Sequence, residues 1–179
     1  MTDLDLKTIA GSEDPLSLKL RGGGVKRYHM EGGMVAQLVS DHTWRLLIIL
    51  LHLWPEISRE AMFYAIYHDV PEGLTGDAPA PVKRMPGVRE AYLELERRYE
   101  DFLGLPRALD LTFADRARVK VADYIELCMT CIKQSSPEAK RIFSTGKRYV
   151  HEACSALSVA EAKAVRDLMN DIETGAIYG

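Results

Sequence analysis

The sequence predicts an all-α fold, a compact bundle of helices, on three observations. Apolar residues recur at spacings of three and four in one run after another. Ser, Asp and Pro stand at the ends of those runs, where helices start and stop. No segment sustains the period-two alternation of a half-buried strand.

Taken in order, Gly22-Gly23-Gly24 reads as a flexible stretch that sets an N-terminal segment apart. Ser40 or Asp41 can cap a helix running to about Trp54, with Leu46, Ile49, Leu50 and Leu53 on its inner face and Pro55 as its stop. Ser58 caps the next helix, which ends near Asp69 because Pro71 disfavours helical geometry at Val70. A short helical start follows over Pro79 to Lys83. An amphipathic helix spans Arg89 to Leu103, with Glu94, Arg97, Arg98 and Asp101 facing water. A long helix covers about Asp115 to Lys133, and Pro137 opens another that ends near Gly146. Ser158-Val159-Ala160-Glu161 fits the capping box of a last helix to about Glu173. Trp44, Trp54, Phe63 and Phe102 fit core positions of these helices. Residues 1–179 are expected to form one domain, with core motifs over 16–134 and the helices of 137–175 packed on them.

Composition narrows the function. With 179 residues the chain can bury a real core. A formal net charge of -3 argues against a partner such as polymeric nucleic acid. The acidic start Met1-Thr2-Asp3-Leu4-Asp5 lacks a secretory h-region, and Leu46 to Leu51 is too short to span a bilayer, so no membrane role is expected. Three cysteines, an odd number, suggest a reducing, cytoplasmic setting. Cys128-Met129-Thr130-Cys131 lies within an apolar helix and reads as core packing rather than a zinc site.

Polar residues interrupt three of the apolar patterns. His42 precedes Leu46 and Ile49 by one and two turns. His68 shares a face with Ala61, Tyr64 and Ala65 and is followed by Asp69. Asp123 lies between Val119 and Leu127. Each has a bland reading: a hydrogen-bonded core histidine, a helix-terminal His beside a solvated Asp, a structural ion pair. One site explains all of them together. Two imidazoles and two carboxylates make a mixed N/O set for a divalent transition metal (Co, Mn, Zn or Fe), which can activate water when positions stay open. Glu72 follows closely enough to orient that water or move its proton. Asp77 either caps the next helix or approaches a reacting phosphate, and Arg27 and Lys83 could supply cations for phosphate oxygens.

These residues fall in an order that resembles the HD-domain phosphohydrolases: Arg27-Tyr28, Val39-Ser40-Asp41-His42, Tyr67-His68-Asp69, Glu72, Thr75-Gly76-Asp77-Ala78-Pro79-Ala80-Pro81-Val82-Lys83 and Lys120-Val121-Ala122-Asp123. The Thr-Gly-Asp-x-Pro-x-Pro-Val-Lys run makes the resemblance specific to the 5′-deoxynucleotidase branch, close to phage dATP triphosphohydrolases. The resemblance implies an all-helical fold and a homo-oligomer. It implies that His42, His68, Asp69 and Asp123 hold the metal, that Glu72 handles the attacking water, and that Asp77 sits beside metal and phosphate. Arg27 and Lys83 would bind phosphate, with Tyr28, Met30 and Pro81 near the base or sugar. Tyr28 stands where the family commonly has Trp.

The activity so implied is metal-dependent hydrolysis of a deoxynucleotide at the 5′ α-phosphorus, inclining to dATP or another dNTP with triphosphate released and additional Mg on the substrate. A 5′-deoxynucleotidase acting on dNMPs uses the same ligands. A phosphodiesterase of a signalling nucleotide, or a nucleotide-binding module without catalysis, is the more distant alternative. A phage-encoded enzyme would work in the host cytoplasm.

Overall fold

A computed structural model describes residues 13–83 and 85–177. The acidic start Met1 to Asp5 lies outside these residues. Helix α1, Pro15–Gly23, begins where the Asp14 carboxylate accepts the backbone N–H groups of Leu16 and Ser17. Two short strands, β1 (Lys26–Arg27) and β2 (Gln37–Leu38), pair antiparallel with Arg27 opposite Gln37. Helix α2 (Val39–Leu53) leaves β2 directly. Helix α3 (Arg59–Tyr67) starts at Ser58, whose hydroxyl accepts from the Ala61 N–H. Short helices α4 (Glu72–Thr75) and α5 (Ala80–Lys83) lead to α6 (Val88–Leu103). The long α7 (Phe113–Ile132) follows, then α8 (Pro137–Ala153) and α9 (Val159–Thr174). The capping box at Ser158 and Glu161 forms as expected. Glu94 and Asp101 both pair with Arg97 on the exposed side of α6.

The all-helical expectation holds, and four of its details are corrected. The Gly22-Gly23-Gly24 stretch is no flexible divider: Gly22 and Gly23 end α1. A Cβ on Gly22 would lie 2.8 Å from the Cα and carbonyl oxygen of Val70, so this glycine lets α1 press on the backbone just after His68-Asp69. Neither Ser40 nor Asp41 caps α2; the helix grows straight out of β2 from Leu38, and Asp41 instead pairs with Arg45 one turn on. Helix α8 does not stop near Gly146. That residue is inside the helix, where a Cβ would meet Cys128 Sγ at 2.8 Å, so its missing side chain permits close packing of α8 on α7. Finally, Trp44, Phe63 and Phe102 are partly or largely exposed, Trp44 by 63%, and only Trp54 is buried as expected. Trp44 sits about 200° around α2 from His42, on the face opposite Leu46 and Leu50.

The main core joins the inner faces of α2, α3, α7, α8 and α9, with Leu50, Ala65, Ile125, Cys128, Val165 and Ile172 nearly inaccessible. Burial of each large aliphatic side chain there is worth roughly 1.5–3 kcal/mol. Cys128, Cys131 and Cys154 are buried free thiols, and burial pushes Cys128 and Cys131 up to about 12, as packing residues rather than reactive ones. A second small core gathers Leu18, Val70, Tyr99, Leu103 and Leu105 under the turn that carries His68 and Asp69. No described helix is long and apolar enough to cross a membrane.

Candidate metal centre

The inner end of the site is assembled from three separate stretches of chain. Helix α2 aims the fully buried His42 ring inward. His68 closes α3, its backbone N–H donating to the Tyr64 carbonyl at 2.9 Å, and Asp69 lies in the turn that Pro71 enforces. Helix α7 supplies Asp123. His42 Nε2 stands 3.5 Å from Asp69 Oδ2 and 3.5 Å from Asp123 Oδ1, and His68 Nε2 stands 3.2 Å from Asp69 Oδ1. His42, His68 and Asp69 offer ligand atoms all within 4.8 Å of one another. Asp123 lies outside that three-residue group and meets it through His42 Nε2.

Both imidazoles are oriented by what holds their other nitrogen. His68 Nδ1 donates to the Ala65 carbonyl at 2.9 Å, and His42 Nδ1 meets Glu126 Oε2 at 2.6 Å. A carbonyl or carboxylate oxygen only accepts, so each hydrogen lies on Nδ1 and each Nε2 lone pair faces the carboxylates. Among the described residues, His42 Nε2 is buried with no hydrogen-bond partner. An orphaned lone pair beside two converging carboxylates is what a divalent cation satisfies, so the residues present fit such an ion. Burial alone pushes the Asp69 carboxyl up, but His68, Arg27 and His42 outweigh it and hold it below the usual range. Burial opposes ionisation of Asp123 too, and Lys120, His42, His68 and Arg27 prevail there.

The cluster lies at the inner end of a cleft of about 450 Å³. Arg27, Tyr28, Met30, Glu72, Asp77, Pro81 and Lys83 all line it, as the sequence led one to expect. Glu72 is 8% exposed. Its Oε1 accepts from Lys83 Nζ at 3.1 Å, and its buried Oε2 has no partner among the described residues. Burial, with Asp69 beside it, raises its carboxyl to about 7 despite Lys83. Asp77 lines the cleft and also braces the β1 turn. Its Oδ2 accepts the Tyr28 backbone N–H at 3.1 Å, pinning Tyr28 at a φ of 61°, a left-handed conformation rare outside glycine. Met30, 68% exposed, stands with Pro81 at the mouth.

Several lining or supporting residues were not singled out from sequence. Glu126, fully buried, links His42 to Arg27 and Gln37. Its signal was available: Ala122 and Met129, one turn to either side, mark the same inward face that singled out Asp123. Lys120 donates to Asp123 Oδ2 at 2.8 Å and lies over the Tyr124 ring. Tyr149 and Arg148 of α8 reach the cleft from beyond the stretch of motifs. Gln37 gave no signal, because its role depends on strand pairing two residues long.

An all-helical core that joins a histidine, a His-Asp pair and a distant aspartate defines the HD class of fold. The cyanophage S-2L HD phosphohydrolase DatZ, in a structure bound to dA and one catalytic Zn²⁺ ion, superposes with a TM-score of 0.71 at 20% identity over 88% of this chain and 94% of that one. Within that class the chain belongs to the YfbR-like 5′-deoxynucleotidase family, whose profile matches residues 24–173. A dATP triphosphohydrolase of Salmonella phage PMBT28 is 28% identical over 121 residues, a match spanning 60% of this chain and 60% of that protein. The family match takes in α8 and most of α9, beyond the 16–134 stretch that carries the motifs.

Proposed function

We propose that this chain hydrolyses deoxynucleotides at the 5′ α-phosphorus, with a divalent transition metal held by His42, His68, Asp69 and Asp123. One observation carries the reading: these four side chains converge at the inner end of a cleft that Arg27, Glu72 and Lys83 also line. A cation bound there would supply positive charge to the α-phosphoryl oxygens and lower the pKa of water beside it. Arg27 and Lys83 bind phosphate oxygens and orient the phosphorus. Glu72 takes the proton of the attacking water on Oε2, which has no partner among the described residues, and its raised carboxyl suits that exchange near neutral pH. Asp77 acts beside the phosphate and through the Tyr28 backbone it holds. The bond from phosphorus to the 5′ oxygen breaks, the 5′ oxygen takes up a proton, and the deoxynucleoside leaves. Tyr28, Met30 and Pro81 face the base or sugar.

A triphosphate substrate, with dATP favoured, is supported by the phage relative's name and by the dA in the cyanophage structure. A dNMP substrate is supported by the family's name. In the first case triphosphate is the co-product, in the second phosphate, and Mg²⁺ would accompany the longer anion. Homo-oligomerisation belongs to the same reading and is supported by an exposed apolar stripe, Trp44, Ile48 and Leu51, along α2. So does a cytoplasmic location, supported by the three free thiols. The test is a screen of purified protein with Mn²⁺ or Co²⁺ against all four bases as dNMP and dNTP. Release of phosphate or triphosphate is the expected result; release of neither from any substrate rejects the proposal.

A further inference from the structure

No step of that chemistry uses Glu126, yet four donors converge on its fully buried carboxylate. Oε2 accepts from His42 Nδ1 at 2.6 Å and lies 3.5 Å from an Arg27 guanidinium nitrogen. Oε1 accepts from Gln37 Nε2 at 2.7 Å and from the Thr130 hydroxyl at 2.8 Å. Gln37 adds a second link, because its own Oε1 accepts from Arg27 at 3.3 Å. We propose that Glu126 is a positioning residue that sets His42 and Arg27 from a single carboxylate, so that the cation-binding and phosphate-binding parts of the site are aligned together. The inference rests on the roles proposed above for those two residues.

The chemistry of the carboxylate makes it hard to replace. An isolated buried carboxylate is costly, and here donors surround it on both oxygens. A glutamine in its place keeps the shape but turns one end into an N–H donor. If that end faces Oε2's partners, it opposes His42 Nδ1–H and Arg27. If it faces Gln37, that amide must turn, and Arg27 loses its acceptor on Gln37 Oε1. In either orientation one of the two aligned residues is released. The Thr130 hydroxyl, by contrast, meets Glu126 Oε1 and Gln37 Nε2 but neither His42 nor Arg27 among the described residues.

The test compares Co²⁺ affinity, by chelator competition, in the unaltered chain, Glu126→Gln and Thr130→Val. Glu126→Gln is expected to weaken Co²⁺ binding roughly 10–100-fold, the usual cost of losing a carboxylate behind a ligating histidine. It should also raise KM for the deoxynucleotide, while Thr130→Val leaves Co²⁺ affinity within about twofold. Unchanged Co²⁺ affinity in Glu126→Gln, whatever its melting temperature, overturns the inference and leaves the proposed function standing. Failure of the unaltered chain to bind Co²⁺ overturns the metal reading itself. Should Glu126→Gln not fold, ¹⁵N spectra of the unaltered chain with Zn²⁺ decide: a His42 ring protonated at Nδ1 is expected, and one protonated at Nε2 overturns the inference.

Discussion

At the inner end of the cleft, His42, Asp69, Asp123 and Glu126 are each held by two or more side chains, whereas Met30, Pro81 and His29 at its mouth are exposed. The inner end sits on α2, α3 and α7, which share the main core. The mouth is lined by the β1 turn and the segment between α4 and α6. Rigid elements hold reacting groups to a fraction of an ångström, while loops can vary without disturbing them. Under the proposed function the labour would be divided: the helical end would determine whether chemistry occurs, and the loop end on which deoxynucleoside.

The most severe break in that division is loss of an inner carboxylate. Asp69→Ala should lower kcat/KM by at least about 10⁴-fold in steady-state assays with Mn²⁺ or Co²⁺, since several kcal/mol of charge stabilisation goes with the cation. Retention of a tenth of the activity would mean that the inner end is not the reacting end.

Next in size is Glu72→Gln, expected to reduce kcat by about 10²–10³-fold with KM little changed. Its stability has the opposite sign. In the metal-free protein the folded carboxyl is raised from 4.5 to about 7, so the folded state holds that proton more tightly than the unfolded chain. The associated stability is complete below pH 4.5 and is lost as pH rises through about 7. Glu72→Gln should remove this dependence and stabilise the metal-free protein at pH 8 relative to pH 4 by up to about 3 kcal/mol, less what the Lys83 ion pair contributed. Urea unfolding at the two pH values checks it. Asp69, Asp123 and Glu126 are held low instead, so their contribution is present above the ordinary carboxylate range and is lost as pH falls below it.

Gly22→Ala probes how the two ends are joined. Its Cβ would meet backbone atoms of Val70, which cannot swing aside as a side chain can. We expect a loss of about 1–3 kcal/mol in denaturant unfolding and weaker metal binding as the Asp69 turn shifts. The smallest effect is expected at the mouth. Met30→Ala should change the ratio of kcat/KM between dATP and dGTP by about tenfold or less, with Co²⁺ affinity untouched. A change in metal affinity there would show the two ends to be coupled.

Much of this was legible along the chain. Helical spacing marked His42 and Asp123 as polar residues on inward faces, and Pro71 marked the turn after His68-Asp69. Ser58 and Ser158 marked helix starts because a cap is a contact between residues three apart. Glu126 was legible by the same spacing that exposed Asp123, though not its partners. Trp44 was misjudged because large aromatic character suggests burial, while the face it occupies is set by Leu46, Ile49 and Leu50. Gly146 was misjudged because a glycine late in a helix resembles a terminus when the helix it packs on is out of view.

By itself the sequence determined what depends on neighbours three or four residues away: helix faces, caps, stops and the kinds of ligand on offer. Only the tertiary structure decided which of those faces meet. It brought Glu126 behind His42, a separation of 84 residues, and turned Asp77 toward Tyr28 rather than toward a helix end. Local geometry repeats along a helix and can be read from spacing, but the pairing of distant side chains depends on how whole helices pack, and close approaches such as those at Gly22 and Gly146 set that packing.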